Sequence, residues 1–163
     1  MKMSEGIEWA IHCCTLLAAL PEGTALPVGR LSEFHDVPKD YLAKHLQSLS
    51  RAGIVQTTRG PGGGYRLGRP AERITLLDVV EAIDGKDPCF QCTEIRRRGP
   101  SAVGAAAYKK PCGIARAMWS AEAAWRRELQ KVTIAALVAQ AAEEVDPKQI
   151  EKSISWLERT TGG

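Results

Sequence analysis

The chain has 163 residues, 44% of them hydrophobic and 25% charged, a composition that excludes a disordered or collagen-like protein and suits one compact domain, or a small domain with a helical appendage. Net charge is +3, but residues 38–73 carry seven Lys/Arg (Lys39, Lys44, Arg51, Arg59, Arg66, Arg69, Arg73) against Asp40 and Glu72, so this stretch is +5 and the remainder −2. Such a local excess on a near-neutral body suggests a docking face for polyanions, although surface cations are commonly just solvated.

Residues 4–20 read as a helix that begins at Ser4 and ends before Pro21-Glu22-Gly23. Glu5, Glu8 and His12 interrupt its apolar run and no small-x-small cleavage site follows, so the reading is a cytoplasmic protein rather than a secreted one. Nowhere else is there an apolar run of membrane-spanning length. On a wheel of about 100° per residue the helix is apolar nearly all round, apart from one narrow strip holding Glu8, His12 and Thr15. A helix of that kind is buried, and its polar strip is either the one wet edge or the lining of a site. A histidine alone would read as a core residue satisfied by Glu8. Two ligand-type residues on one strip shift the balance toward a site. Cys13 and Cys14 fall on other faces and are expected to pack in the core.

A short helix follows at about 28–34, then the turn His35-Asp36-Val37-Pro38, then a third helix at 39–52 stopped by Gly53. In the third helix Leu42, Leu46 and Leu49 recur at spacings of four and three, which turns Lys39, Tyr41 and Lys44 to the opposite side. The period then becomes extended. Residues 54–58 and 65–67 read as strands around the turn Arg59-Gly60-Pro61-Gly62-Gly63-Gly64. Taken alone these glycines make a hairpin turn. A phosphate-binding loop fits poorly, because no Gly-Lys-Ser/Thr follows and the next element is a strand.

A fourth helix starts near Thr75, where Thr75 and Asp78 make a capping pair, and ends at Asp84-Gly85. Residues 86–111 have little regular pattern and hold Cys89, Cys92 and the run Arg96-Arg97-Arg98-Gly99-Pro100. A long alanine-rich helix is expected from about Cys112 to Glu144, too long for this core to cover and therefore packed against a twin. A last helix runs from Pro147 to about Arg159. Five cysteines, an odd number, leave metal binding, redox sensing or core packing as their uses in a reducing compartment.

Helix, turn, helix and two-stranded wing is the order of a winged helix-turn-helix, whose third helix enters the major groove of DNA while the wing reaches the backbone. The fold class expected is therefore mainly α with a small β-hairpin wing, followed by a long dimerisation helix. Candidate contacts to a double-stranded DNA operator are Lys39, Tyr41, Lys44, Arg59, Gly60, Gly62 and Gly63, reading base edges or holding phosphates. Three regions follow: a DNA-binding domain at 1–85, a loop at 86–111, and dimerisation and C-terminal helices at 112–163.

The runs Tyr41-Leu42-Ala43-Lys44-His45-Leu46, Ser50-Arg51-Ala52-Gly53-Ile54-Val55, Arg59-Gly60-Pro61-Gly62-Gly63-Gly64-Tyr65-Arg66-Leu67 and residues 74–85 resemble the Rrf2 family of bacterial transcription regulators, over the chain to about residue 130. The resemblance implies a homodimeric winged-helix regulator, a repressor in our reading, and an iron-sulfur cluster in many members. The usual three closely spaced cysteines are missing, since Cys89 and Cys92 are followed by nineteen residues before Cys112. Glu8-Trp9 with His12, Cys92-Thr93-Glu94-Ile95-Arg96 and residues 112–118 look instead like the redox-sensing RsrR branch. That resemblance implies a [2Fe-2S] cluster held by Glu8 and His12 of one chain with the partner subunit's Cys92 and Cys112. It leaves Cys89 either a spare thiol or a replacement for one of the weaker ligands. Imidazole and carboxylate in place of two thiolates remove soft negative charge and tend to raise the reduction potential. Zinc suits the same donors. A cluster-free regulator with a cysteine thiol switch is the other alternative. An acid–base enzyme built on Glu8 and His12 lacks an accompanying nucleophile or cofactor motif.

Overall fold

The computed structural model describes residues 3–161. Seven α-helices and one hairpin follow in the order α1 (Glu5–Ala18), α2 (Val28–His35), α3 (Lys39–Arg51), β1 (Val55–Thr58), β2 (Gly64–Leu67), α4 (Leu76–Asp84), α5 (Gly113–Lys131), α6 (Ile134–Glu144) and α7 (Pro147–Thr161), with short 3-10 turns at Ala71–Arg73, Ile95–Arg97 and Ala105–Tyr108.

The core gathers around α1. Ile7, Ala10, Cys13, Cys14, Leu16 and Leu17 are buried on it, and it packs against α3, α4 and α6. Leu42, Leu46 and Leu49 of α3 are fully buried, each contributing roughly 1.5–3 kcal/mol of transfer free energy. At the α1–α3 crossing Gly6 lies against His45, where a Cβ would overlap the imidazole, and Trp9 meets the same ring edge-on at 6.0 Å between centroids. The glycine thus lets the two helices approach closely.

β1 and β2 pair antiparallel in the register Val55↔Leu67, Gln56↔Arg66, Thr57↔Tyr65 and Thr58↔Gly64. Leu26 adds a third rung: its N–H donates to the Tyr65 carbonyl at 2.9 Å and its carbonyl accepts from the Tyr65 N–H at 2.8 Å. Gly64 is where that segment passes closest, since a Cβ there would run into the backbone of Leu26 and Pro27. The hairpin is therefore tied to the chain just before α2.

Thr75 and Asp78 form the expected reciprocal capping box, with bonds of 3.1 and 2.9 Å. Ser4 precedes α1, yet its hydroxyl does not cap that helix; it donates to Asp84 Oδ1 at 2.7 Å, pinning the start of α1 to the end of α4.

The single long helix expected over 112–144 is two helices. The chain leaves helical geometry at Val132, and Thr133 pairs with Thr75 as an isolated bridge. Leu76 N–H donates to the Val132 carbonyl and Ile134 N–H to the Ile74 carbonyl, both at 2.9 Å. Thr133 then caps α6 through its hydroxyl, which accepts from Ala136 N–H at 3.1 Å. The β-branched run Val132-Thr133-Ile134 favours this extended crossing, and Thr is a strong N-cap. The break turns α6 back onto α1, with Ile134 fully buried. Among the described residues no helix is long and apolar enough to cross a membrane.

Candidate nucleic-acid interface and ligand-bearing strip

On α3 the buried leucines fix which side faces out. Lys39, Tyr41 and Lys44 are exposed, Tyr41 to 60%, and the Lys44 ammonium lies 5.0 Å from the centre of the Tyr41 ring. That cation–π contact holds both side chains on the outer face. At the wing tip Gly60 and Gly62 adopt φ of +92° and +75°, a conformation that favours glycine, and Gly63 N–H closes the turn on the Gly60 carbonyl at 2.9 Å. Arg59 stands exposed at the start of this turn. Two other cations of the basic stretch are engaged within the fold: Arg69 pairs with Asp78 at 3.0 Å, and Arg51 donates to Ser48 Oγ at 3.0 Å.

Glu8 and His12 are exposed one turn apart on α1 and line a shallow recess of about 350 Å³ with Met3, Ser4, Ile7 and Ile11. Cys13 and Cys14 have no exposed surface, and burial pushes both thiols up to about 12, so they are neutral core residues. Sequence reading placed His35 only in a turn. Its ring stands 5.8 Å from that of His12, and its Nε2 is buried without a hydrogen-bond partner. Burial, with the His12 charge adding, lowers its pKa to about 4 and keeps the imidazole neutral near pH 7. No sequence motif marks it; only the packing of α2 on α1 brings it there.

The 86–111 loop carries a dense polar network. Arg96 pairs with Glu94 through contacts of 2.5 and 2.8 Å, and donates to the Lys110 carbonyl at 3.1 Å. The Arg96 and Arg97 guanidinium groups lie 5.3 and 5.7 Å from the Tyr108 ring, whose hydroxyl donates to the Arg96 carbonyl and accepts from Val103 N–H, each at 2.8 Å. Within this frame Cys92 Sγ accepts from Glu94 N–H at 3.4 Å. Cys112 is the N-cap of α5, its Sγ accepting from Ala115 N–H at 3.3 Å. Cys89 is exposed, and its backbone N–H donates to Glu122 Oε2 at 3.1 Å.

Among the described residues of one chain, no three His, Cys, Asp or Glu side chains converge as a metal site. Glu8 and His12 stand one turn apart on α1, while Cys92 lies in the 86–111 loop and Cys112 at the start of α5.

An exposed helix three, a glycine-tipped wing and a core of leucines beneath them define a winged helix-turn-helix DNA-binding protein. The chain belongs to the Rrf2 family: the family described as Rrf2, iron-dependent transcriptional regulator, matches residues 3–140. It is accordingly a DNA-binding transcriptional regulator and not an enzyme. Among solved structures it is similar to CymR, the global cysteine regulator of B. subtilis, at 20% identity and a TM-score of 0.68, covering 86% of this chain and 98% of that one. IscR of T. potens matches at 19% identity and a TM-score of 0.67, over 90% and 92% of the two chains. The oxidized form of S. aureus CymR matches at 22% identity and a TM-score of 0.63, over 90% and 99%. At these identities the likeness concerns the fold.

Proposed function

We propose that the chain acts as a homodimeric repressor whose operator affinity is set by the redox state or occupancy of a [2Fe-2S] cluster between protomers. Glu8 and His12 of one chain and the partner subunit's Cys92 and Cys112 are its ligands, as in the RsrR branch. The observation that carries this reading is the placing of donors in two separate regions: Glu8 and His12 exposed one turn apart on α1, and half-buried Cys92 in the loop and Cys112 at the start of α5. Exposed Ile114, Met118 and Trp119 on α5 supply apolar surface for the dimer contact that would bring the pairs together. When bound, the cluster supplies one-electron chemistry.

What the chain's own residues do follows from α1. Glu8 and His12 anchor one face of this helix, and Gly6 and Trp9 seat the neighbouring face on His45 of α3. A change in the hold on the strip is therefore passed to the recognition helix without an intervening loop. A dimer must match half-sites about one DNA turn apart, so a small relative rotation of the two α3 helices costs specific affinity. On α3, Lys39, Tyr41 and Lys44 face the groove, while Arg59, Gly60, Gly62 and Gly63 let the wing approach the backbone. Residues 1–85 form the DNA-binding unit, 86–111 carries Cys92, and 112–163, which begins with Cys112, holds the protomers together.

Anaerobic purification tests this: bound iron and sulfide with visible absorption, and genome-wide binding that responds to oxidation, are expected. Glu8→Ala and His12→Ala each abolish the absorption and the redox response. Unchanged absorption and redox-dependent binding in both variants would refute the scheme. A second reading, a thiol switch, draws on the exposure of Cys89, three residues before half-buried Cys92. It predicts a colourless protein whose binding responds to thiol oxidants; a zinc protein would be colourless and redox-inert.

A further inference from the structure

The last helix lies outside the matched family region, which ends at residue 140. Yet α7 is amphipathic and joins the core: Leu157 is buried in it, and the partly buried Trp156 packs against it. Trp156 meets Phe34 of α2 at 4.9 Å between ring centroids, tilted by 61°. Phe34 in turn meets its neighbour His35 edge-on at 4.9 Å, and His35 meets His12 at 5.8 Å. Four rings from three helices thus form one continuous row from the C-terminal helix to the ligand strip on α1.

His35 makes no hydrogen bond through its buried Nε2, so that edge of the ring is held by packing. Ring–ring contacts of this kind have preferred edge-to-face geometry, which selects one rotamer over another. We propose that Trp156, Phe34 and His35 are positioning residues for His12, so that α7 sets the orientation of that imidazole. The functional sense of this rests on the reading of His12 as a ligand; the geometry itself does not.

The chain has three histidines, and the third provides an internal control. His45 packs on Gly6 and Trp9, away from the row. The experiment is NMR of the metal-free, full-length protein with ¹³C-labelled histidine Cε1, comparing wild type, Trp156→Ala, Trp156→Phe and Ile154→Ala. Ile154 lies on α7 but is half exposed and outside the row. Trp156→Ala is expected to shift the His35 and His12 signals by more than their linewidths and leave His45 in place. Trp156→Phe returns them toward wild type, and Ile154→Ala moves none. If Trp156→Ala moves all three signals equally, or leaves the His12 signal in place, the proposal is overturned. Because no metal is present, these outcomes stand whether or not a cluster binds. With iron and sulfide added anaerobically, Trp156→Ala should change the EPR signal of the reduced protein. A wild type that takes up no cluster would sink the functional reading and leave the NMR result standing.

Discussion

Gly6→Ala sharply tests how α1 sits on α3, the contact through which the ligand strip addresses DNA. An alanine inside a helix is ordinarily worth up to about 1 kcal/mol over glycine, so intrinsic propensity predicts a more stable protein. At Gly6, however, the new methyl overlaps three atoms of the His45 imidazole, which is itself wedged against Trp9. Overpacking of a fitted contact costs about 1–3 kcal/mol, and after the helix gain a net loss of up to about 2 kcal/mol remains. With a urea slope of about 2 kcal/mol per molar, the unfolding midpoint should fall, by up to roughly 1 M, at fixed protein concentration in the metal-free state. His45→Ala removes the obstacle. In the double variant the second alanine should therefore cost less than it does alone, with a coupling energy of about 1–2 kcal/mol. A midpoint that rises on Gly6→Ala, or a cycle that closes at zero, would refute the tight crossing.

Arg59→Ala, at an exposed turn, should leave the circular dichroism unchanged while lowering the salt dependence of DNA binding by about one counterion per protomer; an unchanged salt slope would remove Arg59 from the interface. In the folded protein Cys13 and Cys14 should resist thiol reagents at about pH 8 while remaining reactive in denaturant. Since burial raises their pKa values, a modest rise in pH does not produce the reactive thiolate, and labelling of either in the native state would contradict their place in the core.

Where one local signal decided the structure, it could be read from the residues. The four–three spacing of Leu42, Leu46 and Leu49 gives the buried face of α3, and the Thr75/Asp78 pair marks the start of α4. The alanine-rich stretch misled because helical periodicity runs straight through Val132 and Thr133. The break depends on a partner 58 residues earlier, Thr75, whose pairing no local pattern encodes. His35 was invisible for the same reason, since its role as neighbour to His12 is created by the docking of α2 on α1. The candidate ligands were legible in part: the polar strip on α1 is a helical-wheel property. Cys92 and Cys112 were singled out by family resemblance, and their contacts with the amides of Glu94 and Ala115 belong to the folded chain.

Shared ligation between protomers is tested most directly by mixing two inactive variants. Glu8→Ala/His12→Ala supplies only sulfur ligands, and Cys92→Ala/Cys112→Ala supplies only the carboxylate and imidazole, so neither homodimer should hold a cluster. Co-refolded in equal amounts, they form heterodimers with one intact site out of two, and iron and visible absorption should return to about one quarter of the wild-type level. A mixture as colourless as its parents, or either parent homodimer already brown, would contradict a centre built across the dimer.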